Sequence, residues 1–245
     1  MDVKGIIFDY GGTIDSNGDH WSEVIWDGYQ ESRIPVNKEQ FRNAYVYAER
    51  ALARNPYIKP EHNFRDLLRI KMELELRNLT DEGYLDKKYR FFSSDIAEYC
   101  YNRAKYCVNN AKELICEIKV KYPVVLVSNF YGNIETVLKD FGLLGLFDSI
   151  IESAVVGVRK PDPAIFEMGV KALGLLPSEV VVVGDSYKKD ICPAESLGCQ
   201  AIWIKGKPWS EEENAVKHKN IFTNFGQLRD FFLSIINIWC FKTSS

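Results

Sequence analysis

Short apolar runs alternate with stretches of helical periodicity through the second half of the chain. Five runs predict strands, at residues 3–8, 124–127, 149–152, 180–183 and 200–204. Continuous apolar runs such as the four valines at 180–183 are typical of central parallel strands covered on both faces. The segments between them predict helices, at 133–141, 163–173, 190–197 and from 224 or 226 onward. This alternation predicts an α/β fold with a doubly wound parallel sheet.

The stretch from residue 20 to residue 107 differs, because its apolar positions recur at helical spacing and it contains no convincing strand. Breaks at prolines divide it into helices, and Asn37 is a plausible N-cap of the second one. A fourth helix is predicted over 92–106, and the end of a separate helix over 113–119. We therefore predict two units: an α/β core of residues 1–15 and 108–245, and an all-helical cap domain of residues 16–107 that lies over the carboxyl ends of the strands.

Composition narrows the classes of function. The 245 residues are 46% hydrophobic and 27% charged, as in ordinary globular domains. A net charge of -3 argues against a nucleic-acid partner. Six cysteines without CxxC spacing favour free thiols in a reducing, cytoplasmic setting, and the first strand starts too early for a signal peptide. The apolar run at 231–241 is shorter than the ~20 residues of a membrane span, so we expect no membrane partner and a helix or strand packed on the core.

Polar residues follow the predicted strands where each one ends. Asp9 follows the first strand, Ser128 and Asn129 follow the second, and Asp185 follows the fourth. The carboxyl ends of parallel strands meet at one edge of the sheet, where open α/β sheets bind ligands. The loop that contains Lys160 is expected at the same edge. These residues therefore predict one shared site.

The residue types suit transfer of a phosphoryl group. Two carboxylates, Asp9 and Asp185, can hold one hard cation such as Mg²⁺. The second oxygen of Asp9 can then attack phosphorus and form an aspartyl-phosphate. Ser128, Lys160 and backbone N–H groups near Gly11 and Gly12 can bind the transferring oxygens, and Asn129 lies beside them. Asp190 is expected to cap the next helix or to support the metal ligands rather than bind the ion.

Four motifs in this order resemble the haloacid dehalogenase-like hydrolase superfamily. The Asp-x-Asp-Gly-Thr motif is matched by residues 9–13, and its Ser or Thr after an apolar strand by Ser128. A Lys before Pro-x-Pro is matched by Lys160, and Gly-Asp-x4-Asp by Gly184, Asp185 and Asp190. The resemblance implies a Mg²⁺-dependent hydrolase, most simply a phosphatase of a small phosphorylated metabolite, with a helical cap inserted after the first motif.

One departure from the family pattern concerns proton transfer. The second aspartate of the first motif, the family's general acid, is replaced by Gly11. The resemblance implies that the metal takes the backbone carbonyl of this residue, which Gly11 still supplies. Glycine cannot protonate a leaving group, so we expect weak activity on alkyl phosphates, a preference for good leaving groups, or a borrowed acid. Asp15, His20 and Tyr131 are candidates for that acid, although His20 also suits a helix cap.

Other functions remain open from the sequence. Dehalogenases of the family also lack the second aspartate, so Asp9 attack on a carbon–halogen bond is one alternative. A phosphonatase-like reaction would need a cap lysine, such as Lys59 or Lys71, as a Schiff base. A non-catalytic protein that binds a phosphorylated ligand is a third alternative. The sequence specifies neither the substrate nor the oligomeric state.

Overall fold

A computed structural model describes the backbone of residues 3–242 and the side chains of residues 3–233. One parallel sheet of six strands has the order β3-β2-β1-β4-β5-β6. The strands are β1 Gly5–Phe8, β2 Val124–Ser128, β3 Ser149–Glu152, β4 Val180–Gly184, β5 Gln200–Ile204 and β6 Ile221–Phe222. The predicted α/β fold is confirmed. The sixth strand was not predicted, because two residues carry no periodicity.

The order of the strands reverses at β1, which lies between β2 and β4. Phe8 is in register with Leu126 of β2 and with Val183 of β4. The three strands therefore end side by side at the switch point of the sheet, which is where ligands bind in open α/β sheets. The residues that follow these strands are brought together by this register.

Ten α-helices are found in the described part of the chain. Three lie in the region predicted as the cap, α1 Trp21–Glu31, α2 Lys38–Arg54 and α3 Phe64–Asp81, and α4 Ser93–Lys119 begins in that region and extends beyond it. The others are α5 Ile134–Asp140, α6 Ser153–Val156, α7 Ala164–Leu173, α8 Cys192–Ser196, α9 Glu211–Asn214 and α10 Phe225–Lys242. Asn37 is the N-cap of α2 and forms a reciprocal capping box with Gln40, as its sequence position predicts.

The separation of α4 into two helices is wrong. A single helix of 27 residues spans the stretch, because no proline or glycine interrupts it. Its buried stripe continues through Cys107, Ala111 and Leu114, so the helix joins cap and core without a break. The boundary predicted at residue 107 falls inside this helix, and the division into two domains stays a prediction.

Apolar side chains of the sheet pack on both faces. Ile6 and Phe8 belong to a large cluster that includes residues of the cap helices, whereas Ile7 packs with residues of α7 on the other face. Gly169 in α7 permits this contact, since a Cβ there would lie 2.9 Å from side-chain carbons of Ile7 and Val127. The sheet is thus covered on both sides, as the apolar strands predict.

The apolar run at 231–241 lies in the helix α10, which is one of the two alternatives predicted for it. Phe225, Leu228 and Phe232 of this helix are buried, and the ring of Phe225 stacks on that of Phe8 at 6.4 Å between centroids. The run's side chains from residue 234 onward lie outside the described part. Within that part, every helix is too short or too polar to span a bilayer.

Candidate active site

The turn after β1 positions the first acidic residue of the site. Asp9 is 4% exposed and is followed by a tight turn over Tyr10–Ile14. The hydroxyl of Thr13 donates a hydrogen bond to Oδ2 of Asp9 at 2.9 Å and lies 3.2 Å from Oδ1 of Asp185. The turn therefore brings the polar residues after β1 and β4 together, as their register predicts.

Gly12 is required in this turn for two reasons. Its φ of +94° is a conformation that side chains disfavour, and a Cβ would lie 2.3–2.6 Å from atoms of the Asp185 carboxylate. The N–H of Gly12 donates to Oδ1 of Asp15 at 2.7 Å. Asp15 therefore already accepts this N–H in the structure, and the role of Gly12 in binding substrate oxygens stays a prediction.

Lys160 joins two carboxylates at the floor of the site. Its Nζ is 2.5 Å from Oδ1 of Asp9 and 2.7 Å from Oδ1 of Asp190, and the residue is 4% exposed. The amide of Asn129 accepts from the backbone N–H of Lys160 at 2.9 Å and donates to its carbonyl at 3.1 Å. Asn129 therefore positions the lysine, and its amide is already engaged on both sides. Its predicted contact with phosphate remains untested.

Asp190 supports the site from behind. One of its oxygens accepts from Lys160, and the other accepts from the backbone N–H of Ser186 at 3.0 Å. A Cβ on Gly184 would lie 2.4 Å from the Cβ of Asp190, so glycine is needed for this close approach. These contacts with Lys160 and with the Ser186 backbone agree with the supporting role predicted for Asp190, which stays a prediction.

The acidic residues form a group that fits a hard cation. Asp9, Asp185 and Asp190 each offer one carboxylate oxygen, and these oxygens lie within 4.8 Å of one another. Burial and the neighbouring carboxylates raise the pKa of Asp185, and burial also raises the pKa of Asp9 against the attraction of Lys160. Oxygen donors and crowded negative charge suit Mg²⁺. Asp9 and Asp185 would hold the ion, and the role predicted for the Gly11 carbonyl remains untested.

Ser128 ends β2 with an unsatisfied hydroxyl. The residue is 1% exposed, and its Oγ has no hydrogen-bond partner among the described residues. A buried unpaired hydroxyl costs about 1–3 kcal/mol, so such groups in native proteins call for an explanation. A substrate oxygen bound at the strand ends would satisfy it, which agrees with the role predicted for Ser128.

A cavity of about 570 Å³ lies above these residues and separates them from the cap. Its volume is in the range of small-molecule sites. Asp9, Lys160 and Asp185 line its floor, and Glu49 of α2 and Lys71 of α3 line its cap side. The sequence interpretation missed Glu49. The signal for Lys71 was present, because a charged residue on the buried stripe of a helix is uncommon.

The three candidate acids have other partners. Asp15 accepts from the N–H of Gly12 and from the Trp21 indole, and burial raises its pKa to about 8. His20 caps α1 by accepting from the Ser22 N–H, and burial lowers its pKa to about 3, which leaves no proton to give at neutral pH. Tyr131 donates to Glu49. The helix-cap role of His20 is confirmed, and a role of Asp15 or Tyr131 as the borrowed acid stays a prediction.

Lys71 is unsuited to Schiff-base chemistry. Burial opposes its charge, but the carboxylate of Glu49, which accepts a hydrogen bond from its ammonium group, raises its pKa above the usual value. A Schiff base forms from a neutral amine, so the environment favours the wrong protonation state. Lys59 is exposed and does not line the cavity. The structure therefore offers no support for a phosphonatase-like reaction.

We expect the stability of the protein to fall between pH 4.5 and about 8 because of Glu75. This residue is fully buried, Tyr29 donates to it at 3.1 Å, and Lys71 and Glu49 lie nearby. Burial raises its pKa from 4.5 to about 8, so the folded state holds a proton that the unfolded state releases. Its stabilisation is complete below the unfolded pKa and is lost as pH rises through the folded one.

Glu75→Gln should remove this dependence, because glutamine resembles the protonated carboxyl group. We expect the free energy of unfolding of the variant, minus that of the parent, to be larger at pH 9 than at pH 5. The increase should be on the order of a few kcal/mol. Urea unfolding at both pH values measures the difference. Glu73→Gln on the exposed side of α3 is the matched control. If variant and parent differ in free energy of unfolding by the same amount at both pH values, Glu75 does not ionise over this range.

Known proteins match the chain in sequence. A family model of haloacid dehalogenase-like hydrolases matches residues 3–198. The zebrafish haloacid dehalogenase-like hydrolase domain-containing protein 3 is 35% identical over 103 residues, 42% of this chain and 43% of its own. Phosphoserine phosphatase of Thermus thermophilus is 34% identical over 93 residues, 38% of this chain and 36% of its own. Each match thus spans less than half the length of the relative.

Solved structures share the fold over nearly the whole chain. A magnesium-bound HAD hydrolase of Bacillus subtilis, YfnB, superposes with a TM-score of 0.55 at 15% identity, covering 94% of this chain and 98% of its own. A predicted phosphoglycolate phosphatase of Haemophilus somnus superposes with a TM-score of 0.56 at 21% identity, covering 95% and 99%. These likenesses confirm the fold, and the family model, which covers most of the sequence, identifies the chain as a member of the haloacid dehalogenase-like hydrolase family.

Proposed function

We propose that this hydrolase is a Mg²⁺-dependent phosphatase that acts on a small phosphorylated metabolite through an aspartyl-phosphate on Asp9. The observation that carries the proposal is the convergence of Asp9, Lys160 and Asp185 on the floor of one cavity, with Lys160 2.5 Å from Asp9. A bound Mg²⁺ would neutralise the charge of the carboxylates and of the phosphate. Phosphatases among the relatives support the same reaction.

In the proposed reaction, each residue of the site has a defined role. A carboxylate oxygen of Asp9 attacks phosphorus, a new bond forms between them, and the bond from phosphorus to the leaving oxygen breaks. The positive charge of Lys160 and the free hydroxyl of Ser128 stabilise the charge on the transferring oxygens. Water then hydrolyses the aspartyl-phosphate, which releases inorganic phosphate and restores Asp9.

Metal removal tests the proposed cofactor. We expect chelation to abolish hydrolysis of nitrophenyl phosphate and added Mg²⁺ to restore it. Mg²⁺ should also raise the melting temperature of the parent protein, because a ligand that binds only the folded state stabilises it. Asp185→Asn should lose both effects, since one of the two proposed carboxylate ligands is gone. Full activity and unchanged melting after chelation would contradict a metal at this site.

Assays with and without chelator also separate the alternative reactions. Dehalogenation by Asp9 would release halide from a haloacid with or without chelator, because attack on carbon needs no metal. We expect no halide release, since a carboxylate oxygen of Asp185 lies within 4.8 Å of one of Asp9, where the two could hold a metal ion that this reaction does not need. A protein that only binds a phosphorylated ligand would turn over none of these substrates, although a mere binder has no need of an attacking carboxylate.

A further inference from the structure

We propose that Glu49, Lys71 and Tyr131, here called the cap-side cluster, bind hydroxyl groups of the substrate, and that the substrate is a phosphorylated polyol or sugar. This inference rests on the proposed phosphatase function and adds the chemical class of the substrate. It concerns the wall of the cavity that faces the catalytic floor.

The residues of the cap-side cluster are joined by hydrogen bonds around a buried lysine, although the Glu49 side chain is 36% exposed. Lys71 is 4% exposed, its ammonium group donates to Oε1 of Glu49, and it lies 4.2 Å from the centroid of the Tyr45 ring. The Tyr131 hydroxyl is 3.1 Å from each carboxylate oxygen of Glu49. Glu49 comes from α2, Lys71 from α3, and Tyr131 from the core, so the cluster spans the two sides of the cavity.

Hydrogen-bonding capacity remains in the cap-side cluster. Oε2 of Glu49 accepts from Tyr131 alone among the described residues, although a carboxylate oxygen accepts two hydrogen bonds. The ammonium group of Lys71 has three donors, and apart from its contact with the Tyr45 ring, Glu49 is its only hydrogen-bond partner in the described part of the chain. All three residues line the cavity, so the unused acceptors and donors can be met by a ligand.

The charge of the cluster favours hydroxyl groups over a second anion. Burial opposes ionisation of Glu49, but Lys71 and the hydrogen bond from Tyr131 outweigh it, and the pKa of Glu49 lies below its usual value. Glu49 and Lys71 therefore form a neutral pair. A hydroxyl group both donates and accepts, so it can donate to Glu49 and accept from Lys71 without adding charge. Adjacent hydroxyls of a polyol would engage both residues at once.

Exposed basic side chains that line the same cavity suggest a competing class of substrate, one with a second anionic group. Arg50, Arg159 and Lys189 line it, and none has an ion-pair partner among the described residues. They could attract a substrate with a second anionic group. They are exposed and solvated, however, and such charges steer ligands more than they specify them. The cap-side cluster, in which Lys71 is buried and hydrogen-bonded to the partly buried Glu49, is the better determinant of specificity.

Glu49→Gln tests the proposal with two substrates. Sorbitol phosphate carries hydroxyl groups on its leaving group, whereas nitrophenyl phosphate carries none. Because sorbitol phosphate is an alkyl phosphate, which we expect the parent to hydrolyse slowly without the second aspartate, each variant is compared with the parent on the same substrate. We expect kcat/KM for sorbitol phosphate to fall about tenfold to a hundredfold more than kcat/KM for nitrophenyl phosphate, because only the polyol loses a charged acceptor. Glu98→Gln, which breaks an exposed ion pair with Arg65 on the cap, is the matched control and should change neither value.

Tyr131→Phe provides a second variant, because it removes one hydroxyl and leaves the pair of Glu49 and Lys71 in place. It should lower the same ratio severalfold. Free sorbitol should inhibit the parent competitively and inhibit Glu49→Gln more weakly.

Equal losses on both substrates would show that the cluster only holds the cap on the core. The enzyme could instead prefer substrates with a second anionic group. If that preference is lost on substitution of Arg50 but not of Glu49, the substrate belongs to the competing class. Either result overturns the proposal. A parent protein inactive on nitrophenyl phosphate would instead refute the phosphatase function itself.

Discussion

Asp9→Asn should lower hydrolysis of nitrophenyl phosphate by roughly 10⁴-fold or more, because the amide cannot form the aspartyl-phosphate. The fold should survive the change. Lys160 keeps its 2.7 Å contact with Asp190, so the buried ammonium group retains a carboxylate partner. Steady-state kinetics measure the loss, and rapid quenching followed by peptide mass spectrometry should locate the phosphoryl group on Asp9 in the parent protein only.

The control for this substitution is Asp86→Asn, which changes an exposed aspartate of the cap. It should retain parental kinetics, and all three proteins should unfold at similar temperatures. Turnover by Asp9→Asn that equals that of the parent would end the covalent mechanism. A variant that is unfolded would show that Asp9 is needed for stability, and the phosphoryl adduct would then decide its chemical role.

Gly11→Asp should raise turnover of alkyl phosphates by about 10²- to 10⁴-fold, the usual contribution of a general acid. The structure can accept this side chain. Gly11 has a φ of -78° and a ψ of 115°, which any residue adopts, and a Cβ there meets no atom within 4 Å. Gly11 lines the cavity, so the new carboxyl group would share it with the substrate.

Leaving groups separate the acid from other effects of Gly11→Asp. Nitrophenolate leaves without a proton, so its rate should rise much less than that of glycerol phosphate. Gly11→Asn has nearly the same shape and no acidic proton, and it should give no comparable gain. Similar rates for the aspartate and asparagine variants on glycerol phosphate would refute the missing-acid argument.

Local sequence patterns were sufficient to predict the strands that carry the residues of the site. The apolar runs predicted five of the six strands, and the polar residue after each central strand was placed correctly, because parallel strands in register must end at one edge. The contact between Asp9 and Lys160, 151 residues apart, follows from that topology. The continuous α4 was missed, because the apolar stripe alone did not reveal whether its two halves join.

The roles of individual donors could not be read from spacing. Gly12 and Asn129 looked available to a substrate, but Asp15 accepts the N–H of Gly12, and Lys160 occupies the amide of Asn129. Hydrogen-bonding partners depend on distances of a few tenths of an ångström between segments remote in sequence. A sequence motif identifies a hydrogen-bond donor, but only the tertiary structure shows which acceptor that donor already has.

The amino-acid sequence by itself determined the parallel sheet, the helical insertion, the aspartate proposed as nucleophile with its lysine, and the glycine at position 11. These features depend on periodicity and on residue type, which are local properties. The tertiary structure decided which side chains of the cap meet the cavity. Glu49, Lys71 and Tyr131 come together only because two helices and a core loop pack against one another, and that packing is a property of the whole chain.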